Sequence, residues 1–251
     1  MLEKLSQLDL TGAFGFFLAL NAVIVVASAL SCQILARVFA RRRIFDRWEP
    51  VRPIEMAAVL ASIILNAAIS ALGWWLWGRG VIVLRPSTIP SALLDTIAMI
   101  LAMDFGMYVF HRAAHHPRIF TLFHGFHHRH EATNPISLFV LHPVEVLGFG
   151  GLMLVFLVVY PMSLGGLLAF LFVNIAFGTL GHSGVEPFPA RLRAVPVLRL
   201  VGTSTFHAGH HRAPGSNFGF YTLLWDQLFG TLDPAYDRKF RQPCQSGAPP
   251  S

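Results

Sequence analysis

Hydrophobic and polar positions are segregated along this chain on a scale too long for helices that bury one stripe and wet the other. Three stretches, Leu10 to Ala36, Met56 to Trp77 and Val146 to Val185, run without one Asp, Glu, Lys or Arg. About 20 mostly apolar residues cross the roughly 30 Å of a bilayer's hydrocarbon as a helix. The first two stretches therefore predict one span each, and the third is long enough for two. Tyr160-Pro161 lies near its middle, where proline ends one helix and lets another open, so a tight hairpin is expected there. A fourth candidate, Ala92 to Phe110, carries Asp95 and Asp104. Charge inside a span is costly and usually functional, so this segment is either a special helix or not a helix in lipid. The pattern predicts an all-α, polytopic membrane bundle of about four or five spans.

Composition supports that reading. Hydrophobic residues make up 54% of the 251 positions and charged residues 13%, whereas a soluble domain averages about a quarter charged. An ordinary soluble protein is excluded. The first apolar stretch is too long for a secretory signal and lacks a basic leader and a small-residue cleavage site. Cys32 and Cys244 are far apart, and one lies inside a span, so no disulfide framework is indicated. No internal repeat is visible. Residues 1–241 read as a single membrane-embedded unit, and Gln242 to Ser251, rich in Pro, Gly, Ser and Gln, as an unstructured tail.

Charge orients the bundle. If the first span ends on the cytoplasmic side at Arg37, Arg41, Arg42, Arg43, Arg47 and Arg52, the remaining spans alternate. All 19 Lys and Arg except Lys4, Arg79 and Arg85 then fall on that same side, as the positive-inside rule requires. The net charge of +6 reads as this orientation signal plus attraction to anionic head groups. Nucleic-acid binding is disfavoured, because the arginines hug span ends and form no stripe interleaved with aromatics.

All 12 histidines fall between His111 and His211. The early spans are thus scaffold, and any chemistry lies in the second half. His111 and His115 are four apart, and His124, His127 and His128 repeat the offsets three and four. His207, His210 and His211 repeat that triplet far along the chain. On a helix these offsets place imidazoles on one face, which is a metal-ligand pattern. In the alternating topology both triplets, the first pair and His182 emerge on the cytoplasmic side. Imidazole-rich, carboxylate-poor coordination suits iron, zinc, copper or nickel better than magnesium or calcium. A single imidazole near an interface is more often a hydrogen-bonded structural group, and His116, His130 and His142 are read so.

The boxes HRAAH at 111–115, HGFHH at 124–128 and HAGHH at 207–211 resemble those of the fatty acid hydroxylase, or sterol desaturase, superfamily of integral-membrane non-haem di-iron enzymes. Asp104 before the first box, HPVE at 142–145, GHSG at 181–184 and NFGFYTLLWDQLFGT at 217–231 are similar too. The likeness covers about residues 95–235, the histidine-box core. It implies a helical cap on the cytoplasmic face and a ligand set of His111, His115, His124, His127, His128, His182, His207, His210 and His211. Some relatives carry a further histidine where this chain has Gly178, which leaves one coordination position open, with His142 a candidate substitute.

The resemblance implies two ferrous ions (Fe2+) that use O2 to hydroxylate or desaturate an unactivated C–H bond of a lipid, whether sterol-like, carotenoid or acyl chain. Asp104, Glu131 and Asp226 are candidate partners for the ligands' outer N–H groups. Asp104, two helical turns before His111, could instead pair with Asn174. No glycine-rich dinucleotide fingerprint and no cysteine set for an iron–sulfur cluster is present. An external electron donor of ferredoxin or cytochrome type, with its reductase, is therefore expected on the basic face. Two rivals stand beside this reading. An intramembrane zinc hydrolase would carry His-Glu-x-x-His, which His130-Glu131-Ala-Thr-Asn breaks. A haem-carrying electron-transfer subunit or a metal transporter would place its polar residues through the depth of the bilayer, not at one end.

Overall fold

The computed structural model describes residues 7–243. Lys4 of the charge argument, and the tail from Cys244 onward, lie outside them. Five long helices dominate: α1 (Leu10–Val38), α2 (Pro53–Gly78), α3 (Ile89–Ala114), α4 (Pro143–Val159) and α5 (Leu164–Gly181). All but α4 are long and apolar enough to cross a membrane. The 17 residues of α4 reach about 26 Å at 1.5 Å per residue, slightly short of the hydrocarbon thickness. This is a multi-pass membrane protein.

Local chemistry sets the helix ends. Asp9 caps α1 by accepting from Gly12 N at 2.7 Å. Pro53 opens α2, and Pro90 stands in the first turn of α3 behind the Thr88–Ser91 capping box. The hairpin expected at Tyr160-Pro161 is there. Helix α4 stops at Val159, and Ser163 caps α5 by accepting from Gly166 N at 3.2 Å. Between them β2 (Met162–Ser163) pairs in parallel with β1 (Leu84–Arg85), the one named sheet among the described residues.

The helices form a closed ring. Helix α1 packs on α2, α2 on α4, α4 on α3, α3 on α5 and α5 back on α1. Close approach at α4 depends on glycine: a Cβ on Gly150 would meet Ile69 of α2 at 2.5 Å, and one on Gly106 of α3 would meet Leu152 of α4 at 2.7 Å. Outward positions such as Leu20, Val23, Leu30 and Ile34 of α1 stay exposed, as a lipid-facing surface does. The inner core gathers Ile69, Met99, Met103, Leu154, Phe170 and Tyr221.

The fourth candidate stretch is an ordinary helix in form, and both of its carboxylates turn inward. Asp95 sits at one end of the ring and accepts from Arg85 Nη2 at 3.0 Å, Tyr160 OH at 2.8 Å and Ser163 N at 2.6 Å. At the other end lie the C-termini of α1, α3 and α5 and the N-termini of α2 and α4. Residues 115–142 and 182–243 cover this end with short helical turns. They include α6 (Ser204–Arg212), α7 (Leu224–Leu228) and α8 (Tyr236–Arg241).

Candidate metal centre

Each histidine arrives on a different local scaffold. His111 lies in the last turn of α3, His115 caps that helix and His182 caps α5. The HAGHH box occupies α6, capped by Thr203. The HGFHH box is not on a continuous α-helix. His124 ends a π turn (Phe120–His124), and His127 and His128 begin a 3-10 turn (His127–Arg129). Gly125 between them is confined, since a Cβ there would meet Phe120 O at 3.1 Å.

The nine imidazoles converge into two groups. His111, His115, His124, His128 and His210 form one, and His127, His182, His207 and His211 the other; within each, one nitrogen per ring lies within 4.8 Å of all the others. Each triplet divides the same way. The first and last histidines enter one group and the middle one enters the other. In HAGHH, which lies on α6, positions i+3 and i+4 are about 100° apart around the helix, so one box faces both groups, and HGFHH reaches the same division through its π and 3-10 turns. The groups adjoin, with the rings of His128 and His211 stacked at 4.7 Å.

Outer contacts fix the protons. His111 Nδ1 donates to Phe218 O at 2.9 Å, His127 Nδ1 to Val140 O at 3.2 Å and His182 Nδ1 to Gly178 O at 2.9 Å. His210 Nδ1 donates to Ser216 O at 2.7 Å and His211 Nδ1 to His130 O at 2.9 Å. His124 Nδ1 donates to the buried Glu145 carboxylate. A carbonyl or carboxylate only accepts, so in these rings Nδ1 holds the proton of the neutral form and Nε2 is a bare lone pair. Yet His111 Nε2 faces His124 Nε2 at 3.1 Å, lone pair against lone pair, and the lone pairs of His210 and His211 turn toward His128 Nε2 at 3.0 Å and His207 Nε2 at 3.2 Å. His115 Nε2 is buried with no hydrogen-bond partner at all.

Such lone pairs need a cation between them, and a proton is disfavoured. Burial, followed by the neighbouring imidazoles, lowers the pKa of His115 to about 2, and burial lowers His182 to about 3. Burial also pushes His124, His127, His128, His207, His210 and His211 down. A metal ion fits the donor set, and its all-nitrogen character selects first-row transition metals over magnesium or calcium. Five convergent nitrogens in one group also exceed the four of a closed structural zinc site.

The three carboxylates expected around the rings behave otherwise. Asp104 touches neither a histidine nor Asn174; it accepts from Tyr221 N at 2.9 Å and from Thr222 Oγ1 at 2.5 Å, while Tyr221 OH donates to Asn174. Asp226 accepts from Phe218 N at 2.8 Å and Gly219 N at 2.7 Å. Both act one step back, holding the segment whose Phe218 carbonyl receives His111. Glu131 is exposed, and its backbone N–H, not its carboxylate, takes part by donating to Glu49 at 3.1 Å. The carboxylate that does meet an outer imidazole nitrogen is Glu145, which sequence reasoning passed over. Its signal was present in HPVE, an acid buried at the mouth of a wholly apolar helix.

The remaining histidines stand outside both groups. His130 is clamped between Glu49 at 2.7 Å and Glu55 at 2.5 Å, which ties the α1–α2 connection to the second box. His116 and His142 accept backbone N–H groups at helix starts. His142 therefore fills no vacant coordination position. Nor is there space at Gly178, where a Cβ would meet Leu138 Cδ1 at 2.7 Å.

Fold and site together define a multi-pass helical membrane protein with paired nests of imidazole at one end of its bundle. A family model for fatty acid hydroxylases matches residues 96–231, and the chain belongs to that family. It is 34% identical over 132 residues to a very-long-chain aldehyde decarbonylase of Oryza sativa subsp. indica, which covers 50% of this chain and 21% of that protein. It is 27% identical over 164 residues to cholesterol 25-hydroxylase-like protein 2 of Danio rerio, covering 64% of this chain and 58% of that one. The chain thus spans about a fifth of the length of the decarbonylase. No solved structure matches.

Proposed function

We propose that this chain is a lipid oxygenase whose nine histidines, His111, His115, His124, His128 and His210 on one side and His127, His182, His207 and His211 on the other, hold two iron ions. The observation that carries the proposal is the convergence of nine imidazoles into two groups, six of them rings whose Nδ1 is already committed to an acceptor. Ferrous iron bound there would supply O2 reduction strong enough to hydroxylate or desaturate an unactivated C–H bond. The protein's part is geometric and electrostatic. Backbone carbonyls and Glu145 lock ring orientation, and outer hydrogen bonds of this kind raise ligand basicity. The helix ring below and the 182–243 segment above keep bulk water from the second group, whose His182 and His211 are buried.

The relatives' names, a very-long-chain aldehyde decarbonylase and a cholesterol 25-hydroxylase-like protein, support a lipid substrate, with chain and ring lipids both open to test. Electrons come from outside the chain, from a ferredoxin- or cytochrome-type donor docking near the arginine-rich turns that flank the histidines, on the cytoplasmic side. Metal analysis of the purified protein tests the core of the reading. Two irons per chain without a haem absorbance band is the expected result. A single zinc, or a haem spectrum, would overturn it in favour of a hydrolase or an electron carrier. Comparing lipid extracts from cells with and without the protein then identifies the substrate, by gain of one oxygen atom or loss of two hydrogens.

A further inference from the structure

The two imidazole groups differ in their access to lipid. Beside the second group, His182 and His207 border a cavity of about 10 Å³, room for about one water molecule. Beside the first, His115 lines an open groove of about 540 Å³, walled by Phe105, Tyr108 and Val109 of α3 and by Phe218 and Phe229 across from them. Pro214 and Gly215 form its far lip. This groove continues a ridge of exposed apolar side chains that climbs the outside of α3: Leu94, Ile97, Leu101, Phe105 and Val109. Their spacing of three and four residues keeps them on one helix face. The ridge ends on a cation. Arg112, one turn above Val109, is exposed and lines the groove, with Nη1 donating to Tyr108 OH at 3.2 Å. The carboxylate of Asp226 lies near enough to feel the Arg112 charge, but its oxygens are committed to Phe218, Gly219 and Thr231.

We infer that this groove admits the substrate sideways from the bilayer, as a long-chain amphiphile with an anionic head. Its apolar chain lies along Phe105, Val109 and Phe229, its head rests on Arg112, and it meets the five-histidine group at His115. The chemistry of the walls selects this occupant. Apolar rings continuous with a lipid-facing ridge take a hydrocarbon chain, and a guanidinium at the interfacial end takes a carboxylate or phosphate through its planar fork of donors. Arg112 and His115 are three residues apart on one helix, so the carbon presented to the metal group lies near the polar end of the chain. This inference rests on the oxygenase reading above and assigns the first group as the one the lipid meets.

Photo-labelling of the purified full chain in lipid nanodiscs tests it, with palmitic acid carrying a mid-chain diazirine as probe and the matching hexadecylamine as its cationic counterpart. Adducts are expected within residues 105–116 and 214–229, with the carboxylate labelling about threefold more than the amine, the size of one partly exposed ion pair. Arg112→Gln should bring that ratio to about one while iron content holds. Gly215→Trp, placed where a new side chain meets nothing within 4 Å, should plug the groove and suppress adducts from both probes, again with iron retained. Adducts spread evenly over α1 and α2, or a ratio unmoved by Arg112→Gln, would overturn the groove assignment. Iron measured on the same samples separates the two readings: an iron-replete protein labelled elsewhere refutes the groove alone, and a protein without iron refutes the oxygenase reading beneath it.

Discussion

The two ends of the helix ring both bury polar groups, and they do so in opposite ways. At the β1–β2 end, Asp95 is an acceptor surrounded by donors: a guanidinium, a phenol and a backbone N–H. Every hydrogen-bonding valence there has a mate, so the network is finished by protein alone. At the histidine end the outer nitrogens of six rings are mated, but His128 Nδ1 is buried without a partner and the inner nitrogens of His111 and His124 present acceptor to acceptor. A buried polar cluster therefore does not mark a site by its density. What marks it is a mismatch of donors and acceptors that only an added cation resolves.

The largest effect is expected from breaking the mismatch itself. His127→Ala or His210→Ala should abolish iron binding and activity, measured by metal analysis and lipid turnover, while the protein still inserts in membranes. Glu145→Gln should lower iron affinity or activity by about 10- to 100-fold, because an outer partner orients its imidazole without touching metal. An unchanged Glu145→Gln enzyme would remove Glu145 from the site's support. At the finished end, Asp95→Ala should instead cost roughly 2–3 kcal/mol of stability, as charged hydrogen bonds do, and leave metal content per folded protein intact. A thermal unfolding scan paired with iron analysis reads both.

Acid sharpens the contrast. The metal-free His115 and His182 sit near pKa values of about 2 and 3 against 6.5 for the free side chain. Between those values and 6.5 the unfolded chain holds more protons, so metal-free protein should lose stability as pH falls below that point and gain none above it. Unfolding midpoints insensitive to pH below 6 would contradict the burial of neutral imidazoles. The smallest effect belongs to His142→Ala. It removes a helix-start acceptor worth about 1 kcal/mol and should leave iron content unchanged, and iron loss there would restore His142 as a ligand.

Much of this was legible beforehand. Uncharged runs gave the spans, because nothing else tolerates such lengths of apolar sequence, and Pro161 gave the hairpin because it cannot continue a helix. Helical offsets singled out eight of the nine histidines that converge, the resemblance added His182, and His116, His130 and His142 were set apart as single structural imidazoles. Less was legible about their surroundings. Glu131 looked like a partner by proximity in sequence, yet it turns to the exposed surface, while Glu145 reaches His124 from another helix.

What the sequence determined by itself follows from short-range rules: hydropathy marks where helices cross, and the spacing of the histidines marks which segments carry candidate metal ligands. What only the tertiary structure decided is how those segments meet. The division of each triplet between two groups, the carbonyls that set each tautomer and the groove opening on one group alone all depend on contacts between residues remote in the chain. Local propensity carries no information about such contacts, because their energies exist only once the ring of helices has closed.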